Sequence, residues 1–392
     1  MKYFEDIVEY TNADHGAKKL TALRHLCILM YAHLKEKKSL RDITSGISAD
    51  PNLQEYTGTI SYSQLSRKNS DRDPEVFEQM FQAIVSQVVL YQGIRDIPST
   101  WGDIKILDAT LIRVCLSLFP WAHYRKAVGA VKMHTLIDLV SDCPEKIVIT
   151  DGKIHDRDKM DSFVTKPGIT YIFDRGYTDY GEYDRLCMDD IFFISRLKKN
   201  AVMEVVSENQ VSRDSNVLSD KEVFLGGFYT RMKNTVRIIE VMDISKGESF
   251  FIVTNRFDLS AEEIAQIYRL RWRVELFFKW IKQHLQVKHF YGKSEQAVEN
   301  QLFIALITYC LMVMLQLKAG YRGPLLTIKR LIHTCLYEPF TFFVQALHRK
   351  PQHSTRGRRR IDYERIYQET VRQVLAGEAG YLNDVTYDPL VL

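Results

Sequence analysis

The chain has 392 residues, of which 46% are hydrophobic, and this composition excludes a disordered or fibrous protein. At about 100–200 residues per domain, the length predicts two to four domains. Lys and Arg number 53 against 49 Asp and Glu, so the net charge of +4 does not by itself name a partner. Six cysteines without a C-x-x-C pair exclude zinc fingers and disulfide scaffolds, and the N-terminus shows no secretory signal, so we expect a reduced, cytoplasmic protein.

Residues 1–98 are predicted to form a helical domain. Apolar residues recur at helical spacing across 18–34, the residues from Ser39 to Asp42 resemble a capping box, and 74–91 is a long helical pattern. Short helices with a Ser-, Gln- and Arg-bearing segment at 61–67 suit a DNA-binding domain. A helical packing domain without a ligand fits the same pattern, and both interpretations remain open.

After residue 98 the pattern becomes β-rich. The order is three strands, a helix, a strand, a helix and a strand, which is the order of a ribonuclease H-like α/β sheet. We therefore predict a catalytic core of this type in 99–197 that resumes in 251–325, around a mostly β insertion in 198–250. The predicted strands are 103–115, 130–140, 146–150, 169–173 and 191–197, and the predicted helices are 155–163 and 179–188.

Three carboxylates lie in apolar settings within this core. Asp108 lies inside the first predicted strand, Asp174 ends a short buried strand, and Glu275 lies among large apolar residues of a later helix. A buried acid is costly unless something binds it, and the carboxyl ends of strands are where α/β sheets bind ligands. Together the three acids would form an all-oxygen site suited to Mg²⁺ or Mn²⁺. The alternative is that each acid is capped or ion-paired separately.

The segment around Glu275 is strongly basic. A capping box that begins at Ser260 predicts one long helix to about residue 285. Between residues 268 and 293, seven Lys and Arg accompany a single acid, which is Glu275. Tyr268, Arg271, Glu275 and Lys282 follow one another at steps of three, four and seven residues, so a continuous helix would place them on one face.

These residues resemble a known family signature. Tyr268, Arg271, Glu275 and Lys282 match the Y-(2)-R-(3)-E-(6)-K pattern of DDE transposases from bacterial insertion sequences of family four. The segments 107–110 and 173–177, which contain Asp108 and Asp174, are similar to the family's first and second aspartate motifs. The resemblance covers most of residues 1–320, and it includes a β insertion before the catalytic glutamate.

The resemblance implies a mechanism and a set of partners. Asp108, Asp174 and Glu275 would hold two divalent ions, Mg²⁺ or Mn²⁺, for in-line displacement at phosphorus. The DNA partners would be the terminal inverted repeats of the element and the target DNA, bound by a homodimer in a synaptic complex. Arg271 and Lys282 would bind phosphates, Tyr268 would contact the same backbone, and Trp272 would either stack on an extruded base or pack in the core. Further DNA contacts are expected from Arg175 and Lys279.

Other segments give weaker predictions. His134 lies on a predicted strand and is either near the metal ions or structural. The apolar run 302–317 is shorter than the roughly 20 residues of a membrane span and predicts a buried helix. The region 326–392 is predicted to be helical and basic, and Arg358, Arg359 and Arg360 within it would bind DNA phosphates or only solubilise a linker.

Two other functions remain open from the sequence. A metal-dependent, structure-specific nuclease of the same fold would hydrolyse DNA without joining it. A non-catalytic repressor would bind DNA without cutting it, although acids at all three positions argue against this alternative. The insertion favours the transposase, since a simple nuclease does not need it, and we expect the metal site to fold when residues 201–249 are deleted.

Overall fold

The computed structural model divides the chain into two compact units. The first unit comprises Met1–Gly93, Ile112–Ala130 and Leu276–Leu392, and the second comprises Ile94–Leu111 and Val131–Glu275. In this division N-terminal and C-terminal segments share one unit, and the predicted domain boundaries stay a prediction. The structure describes residues 2–91, 98–212, 215–243, 247–349, 368–369 and 372.

The N-terminal part of the first unit consists of short helices that begin at capping side chains. Thr21, Ser39 and Ser61 each accept a hydrogen bond from a backbone N–H of the first turn, as their positions in the sequence suggest. Ser61 and Gln64 complete a capping box. The helices are α1 (Lys2–Tyr10), α2 (Ala22–Leu34), α3 (Leu40–Ser48), α4 (Pro51–Thr57), α5 (Tyr62–Asp71) and α6 (Glu75–Tyr91).

The described part of the chain contains strands at all five segments predicted for the core. The short strand β2 is an addition that the sequence pattern does not show. The strands are β1 (Ile104–Val114), β2 (His123–Arg125), β3 (Val128–Asp138), β4 (Cys143–Asp151), β5 (Thr170–Phe173), β6 (Phe192–Leu197), β7 (Met203–Asn209), β8 (Val217–Leu225), β9 (Val236–Asp243) and β10 (Glu248–Thr254).

In the second unit the strands form one mixed sheet. The order is β3-β1-β5-β6-β10-β9-β8-β7, and β4 pairs with β3. The central pairs β1 with β5 and β5 with β6 are parallel, whereas β10 pairs antiparallel with β6 and with β9. Parallel strands buried on both faces read as continuous apolar runs, which is why β5 could be predicted from its sequence. The fold of this unit is therefore mixed α/β with a large sheet.

The predicted insertion contributes strands to this same sheet. β8 and β9 extend the sheet beyond β10, and their side chains enter the hydrophobic cluster that contains Tyr171 and Phe173 of β5. The structure therefore argues against the expectation that the metal site folds without residues 201–249, because the deletion would remove part of the core. The insertion residues in this cluster are Val223, Leu225, Met232, Val236 and Ile238.

The single long helix predicted from residue 260 is two helices. Its capping box is present, with Ser260 and Glu263 bonding each other's backbone N–H groups, but the helix ends at Arg269. The next helix begins at Trp272. The backbone N–H of Arg271 bonds the carbonyl of Tyr268, three residues back, so the chain tightens at this point. The helices after β4 are α7 (Met160–Phe163), α8 (Tyr180–Met188), α9 (Ala261–Arg269) and α10 (Trp272–His284).

The C-terminal part of the first unit is built on α11 (Glu295–Lys318), followed by α12 (Leu325–Thr334) and α13 (Phe340–Leu347). α11 is long and apolar enough to cross a membrane by length and composition, but most of that apolar stretch is buried inside the fold. It packs against α2, α5 and α6, and Asn300 donates to the backbone carbonyls of Asn69 and Arg72. α11 is therefore the core helix that the apolar run predicts.

Candidate active site

The strand register places Asp108 and Asp174 side by side. β1 and β5 are parallel, with Ile106 opposite Ile172. Asp108 lies two residues after Ile106, and Asp174 lies two residues after Ile172, so the two aspartates lie level on adjacent strands. This position is the carboxyl end of β5, where open α/β sheets bind ligands. Two of the three predicted acids therefore meet at one edge because of strand pairing alone.

The loop after β5 holds the Asp174 carboxylate. Its Oδ1 accepts a hydrogen bond of 2.7 Å from the backbone N–H of Gly176, which caps the short 3₁₀ helix Arg175–Tyr177. The hydroxyl of Ser195 on β6 donates to the Asp174 carbonyl at 3.2 Å. A Cβ atom on Gly176 would approach Oδ1 of Asp174 to 2.8 Å. Glycine is therefore required here by close approach to the carboxylate.

Replacing Gly176 should disturb the candidate site without unfolding the protein. In Gly176→Ala the new methyl group displaces the Asp174 carboxylate, and a misplacement of about 1 Å can lower catalysis about 10²-fold. Gly181→Ala is the matched control, since its Cβ would meet Asp179 at an ordinary 3.4 Å. DNA cleavage rates and thermal melts of both variants test this prediction. Equal rates for the two variants would contradict it.

Arg271 contacts both Asp108 and Glu275. Its Nη1 lies 3.4 Å from Oδ2 of Asp108, and its Nη2 donates to Oε1 of Glu275 at 2.6 Å. Glu275 lies in the first turn of α10, and Arg271 lies in the break that precedes this helix. The break thus turns the guanidinium toward β1. The structure brings Asp108 and Glu275 together through a cation of the chain itself.

The electrostatics of Asp108 reflect this crowded setting. Burial raises the pKa of Asp108 to about 7; Arg271 acts to lower it, and Asp174 and Glu275 raise it further. A charge on Asp174 or on Glu275 therefore disfavours a charge on Asp108. Among the described residues, no three His, Cys, Asp or Glu side chains stand close enough to hold a metal ion directly. Asp108 and Glu275 instead share the Arg271 guanidinium.

Tyr268 and Trp272 flank Arg271 on either side of the helix break. Tyr268 is buried, with its ring 6.0 Å from that of Phe250, and burial raises its pKa. Trp272 is half-buried, and the Arg271 guanidinium lies 5.6 Å from the centre of its ring. Because of the break, the signature residues do not share one continuous helical face. Both aromatic side chains lie beside Arg271, and their contact with DNA stays a prediction.

A basic cavity adjoins Asp174. It has a volume of about 450 Å³, and Arg175 and Arg196 line it with Lys198 and Lys199. The guanidinium of Arg196 lies 5.0 Å from the centre of the Phe250 ring. Within the described ranges, no carboxylate pairs with Arg175, Arg196 or Lys198, so these cations can accept a phosphate. In the sequence, the sign of this cavity is the run Arg-Leu-Lys-Lys at residues 196–199, which spans the end of β6.

Lys279 and Lys282 lie further along α10, in the part of this helix that belongs to the first unit. Burial lowers the pKa of Lys279, and its Nζ is buried without a hydrogen-bond partner among the described atoms. Burial lowers the pKa of Lys282 to about 8, and Lys288 adds to this effect. A DNA phosphate would give the buried Lys279 ammonium a partner, and the contact of Lys282 with DNA stays a prediction.

The lowered pKa of Lys282 predicts a pH-dependent contribution to DNA affinity. Lys282 loses its proton as the pH rises through about 8, so its attraction for phosphate should be lost above that pH. We expect wild-type affinity to fall between pH 7.5 and 9 by at most about tenfold per pH unit, since one proton is linked. Arg keeps its charge in this range, so Lys282→Arg should remove that fall. Parallel pH curves for the two proteins would contradict the prediction.

His134 has a structural environment. Its side chain is fully buried, its Nε2 lies 3.1 Å from the hydroxyl of Thr150 on β4, and burial lowers its pKa to about 4. Its Nδ1 lies 3.8 Å from Asp156, which pairs with Lys132 at 3.0 Å. These contacts favour the structural alternative. The predicted phosphate-binding residues of the tail, Arg358, Arg359 and Arg360, lie outside the described residues.

Two family models and one solved structure are similar to this chain. A family model described as a transposase DDE domain matches residues 102–311, and a second, described as a domain of unknown function, matches residues 1–60. A solved structure of a piggyBac transposase synaptic complex with hairpin DNA aligns with a TM-score of 0.47 and 11% identity, over 90% of this chain and 80% of that chain.

Two curated relatives are similar over the same region. The protein y4zB of Sinorhizobium fredii, which bears the name of a transposase, is 32% identical over 240 residues, or 60% of this chain and 67% of that protein. The transposase assigned to insertion sequence element IS5377 of Geobacillus stearothermophilus is 31% identical over 253 residues, or 64% and 66%. The chain thus spans about two thirds of the length of these relatives. Since the family model covers more than half of the chain, and these relatives agree with it, the protein belongs to the DDE transposases of bacterial insertion sequences.

Proposed function

We propose that this transposase binds the terminal inverted repeats of its own insertion sequence, cleaves the ends and joins the freed 3′ ends to target DNA. The observation that carries the proposal is the meeting of Asp108, Asp174 and Glu275 at one edge of the sheet. The β1–β5 register puts Asp108 level with Asp174, and Arg271 links Asp108 to Glu275 through its two ion pairs. A homodimer acting on the bacterial chromosome in the cytoplasm belongs to the same proposal.

The catalytic core is proposed to be ribonuclease H-like. Its support is the strand order β4-β3-β1-β5-β6, with the parallel pairs β1-β5 and β5-β6 at its centre. Asp108 within β1 and Asp174 after β5 occupy adjacent strands of this order. The helix after the last strands brings Glu275 to the same edge. This arrangement lets three separate segments of chain meet at one point.

The family implies a divalent metal ion, and the donor set fits one. Asp108, Asp174 and Glu275 offer only carboxylate oxygens, which suit Mg²⁺ or Mn²⁺. Burial, and after it the other two acids, raise the pKa of Asp108, so a bound divalent cation would favour its ionised form. Two bound ions would activate a water or 3′-hydroxyl and stabilise the leaving oxygen. In this proposal the chain's own strands and helix hold the three acids in place, and the Asp108 side chain is only 16% exposed.

The cations of the basic cavity, of the helix break and of α10 are proposed to bind the DNA backbone. Arg175, Arg196 and Lys198 line the cavity, as does Lys199, which pairs with Glu248 at 3.8 Å, and these cations would contact phosphates next to the cleaved bond. Arg271 and Lys282 would bind phosphates as a fork and as a point charge, with Lys279 nearby on the same helix. Tyr268 and Trp272 would contact the same DNA. Arg358, Arg359 and Arg360 are proposed to add phosphate contacts that carry no sequence information.

The test of this function is a product assay with the full chain. Purified protein is incubated with Mg²⁺, a random target library and the DNA that flanks its own gene, and the products are sequenced. Joined 3′ ends are expected, and EDTA should abolish them. Cut ends without joining would instead support the nuclease, and binding without cutting would support the repressor.

A further inference from the structure

The guanidinium of Arg271 occupies the oxygens that the proposed metal ions need. It contacts Oδ2 of Asp108 at 3.4 Å and Oε1 of Glu275 at 2.6 Å. The Arg271 side chain is only 13% exposed, so these contacts are less screened than a surface ion pair. A cation coordinated by the same two oxygens must therefore compete with Arg271.

The sum of formal charges disfavours the simultaneous presence of Arg271 and two divalent ions beside the three acids. Without ions, the formal charges of the three ionised carboxylates and of Arg271, which contacts Asp108 and Glu275, leave two negative charges in excess. Two divalent ions would convert this excess into two positive charges if Arg271 stayed. If Arg271 instead pairs with a DNA phosphate, one positive charge remains, and the phosphodiester under attack balances it. The full set of ions is electrostatically favoured only after Arg271 has changed partner.

The local chain allows this change of partner. Arg271 lies between the end of α9 at Arg269 and the start of α10 at Trp272, so it is outside both helices. Its long side chain can turn without unwinding either one. Its planar fork suits a phosphate at least as well as two separate carboxylates.

We infer that Arg271 is a built-in counter-ion that couples metal binding to DNA binding. In the DNA-free protein it holds Asp108 and Glu275, and when DNA arrives it pairs with a phosphate and releases both carboxylates to the metal ions. This inference rests on the proposed function, from which it takes the DNA and the ions. Linkage makes the coupling reciprocal, so the ions must raise DNA affinity by the factor by which DNA raises metal affinity.

The decisive measurement is Mn²⁺ binding to the full-length, DNA-free protein by electron paramagnetic resonance. Arg271→Met removes the competing guanidinium, and we expect it to bind Mn²⁺ about 5–150-fold more tightly than wild type, the usual range of coupling factors. Arg269→Met is the matched control, because it removes one exposed positive charge two residues away. It should stay within about twofold of wild type, since an exposed charge is screened. Equal Mn²⁺ affinities for wild type and Arg271→Met would overturn the inference.

Two further measurements, on a charge-conserving variant and on DNA affinity, accompany the Mn²⁺ titration. Arg271→Lys keeps the charge but lacks the fork that spans two carboxylates, so it should fold and bind Mn²⁺ with intermediate affinity. Adding Mn²⁺ should raise the affinity of the wild type for a random-sequence duplex. The same addition should raise the affinity of Arg271→Met by a smaller factor. A protein with the Mn²⁺ effect that neither cuts nor joins DNA would contradict the proposed function alone. Equal Mn²⁺ affinities in an enzyme that cuts and joins would contradict the inference alone.

Discussion

Asp108→Asn, Asp174→Asn and Glu275→Gln should each abolish DNA cleavage and joining while leaving duplex binding close to that of wild type. Each change removes one carboxylate from the site where the three acids meet, at nearly unchanged side-chain volume. Metal ions contribute several kcal/mol to such displacements, so the expected loss is about 10³-fold or more. Affinity for DNA comes mainly from phosphate contacts elsewhere and should persist. Cleavage rates and salt-dependent binding on the same preparations measure both effects.

Asp161→Asn is the control for these variants, because its side chain is 81% exposed and it belongs to the same compact unit. Folding is checked by thermal melts. Burial raises the pKa of Asp108 to about 7, so ionisation of this group lowers stability as the pH rises from about 4 toward 7. Asp108→Asn should therefore melt no lower than wild type at pH 7.5. Cleavage at a near wild-type rate by any of the three variants would remove that residue from the site.

The aspartate pair could be predicted from the sequence because two local signals coincide. β5 is a short apolar run that ends at an acid, and the acid in β1 is surrounded by apolar residues. Each signal depends on neighbours in the chain, and parallel pairing then makes the two positions level. Glu275 is predicted from its apolar neighbours and from the family signature that it matches, but helical spacing does not give its distance from the aspartates.

The break at Arg271 could not be predicted, since no Gly or Pro marks it. The residues from Tyr268 to Trp272 are compatible with a continuous helix, and local propensity favours one. Arg271 instead bonds Asp108, which lies far away in the sequence. The break is accompanied by an ion pair between residues that are far apart in the sequence. The periodicity of a single sequence carries no information about such a pair, so it cannot predict the break. The basic cavity is similar, because Phe250 reaches Arg196 only through the pairing of β10 with β6.

The place of the insertion strands in the core sheet could not be predicted, for a related reason. Its alternating β-prone pieces and polar turns indicate strands, and strands are what the structure contains. Alternation gives the exposed and buried faces of a strand but not the partner that covers the buried face. β9 pairs with β10, which pairs with β6, so these strands continue the core sheet. A sequence pattern alone did not distinguish an appended domain from an extension of the core.

Deleting residues 201–249 should therefore unfold the catalytic unit. The deletion removes five buried members of the cluster around Tyr171 and Phe173, and it leaves β10 without its partner β9. Each buried side chain of this kind contributes about 1.5–3 kcal/mol, so the loss is comparable with the whole stability of a domain, about 5–15 kcal/mol. Circular dichroism and limited proteolysis of the deletion variant, closed with a short flexible linker, measure this outcome.

The control for the deletion changes the insertion without touching the core. Phe228 and Tyr229 are 93% and 94% exposed at the turn between β8 and β9, so Phe228→Ala with Tyr229→Ser should keep the wild-type melting profile. If these aromatic side chains touch DNA, the double variant loses affinity or joining while remaining folded, which separates a binding role from a structural one. A deletion variant that melts cooperatively near the wild-type temperature would show that β6 and β10 close the sheet without β8 and β9. In that case the insertion would be an appended element after all, as its alternating pattern first indicated.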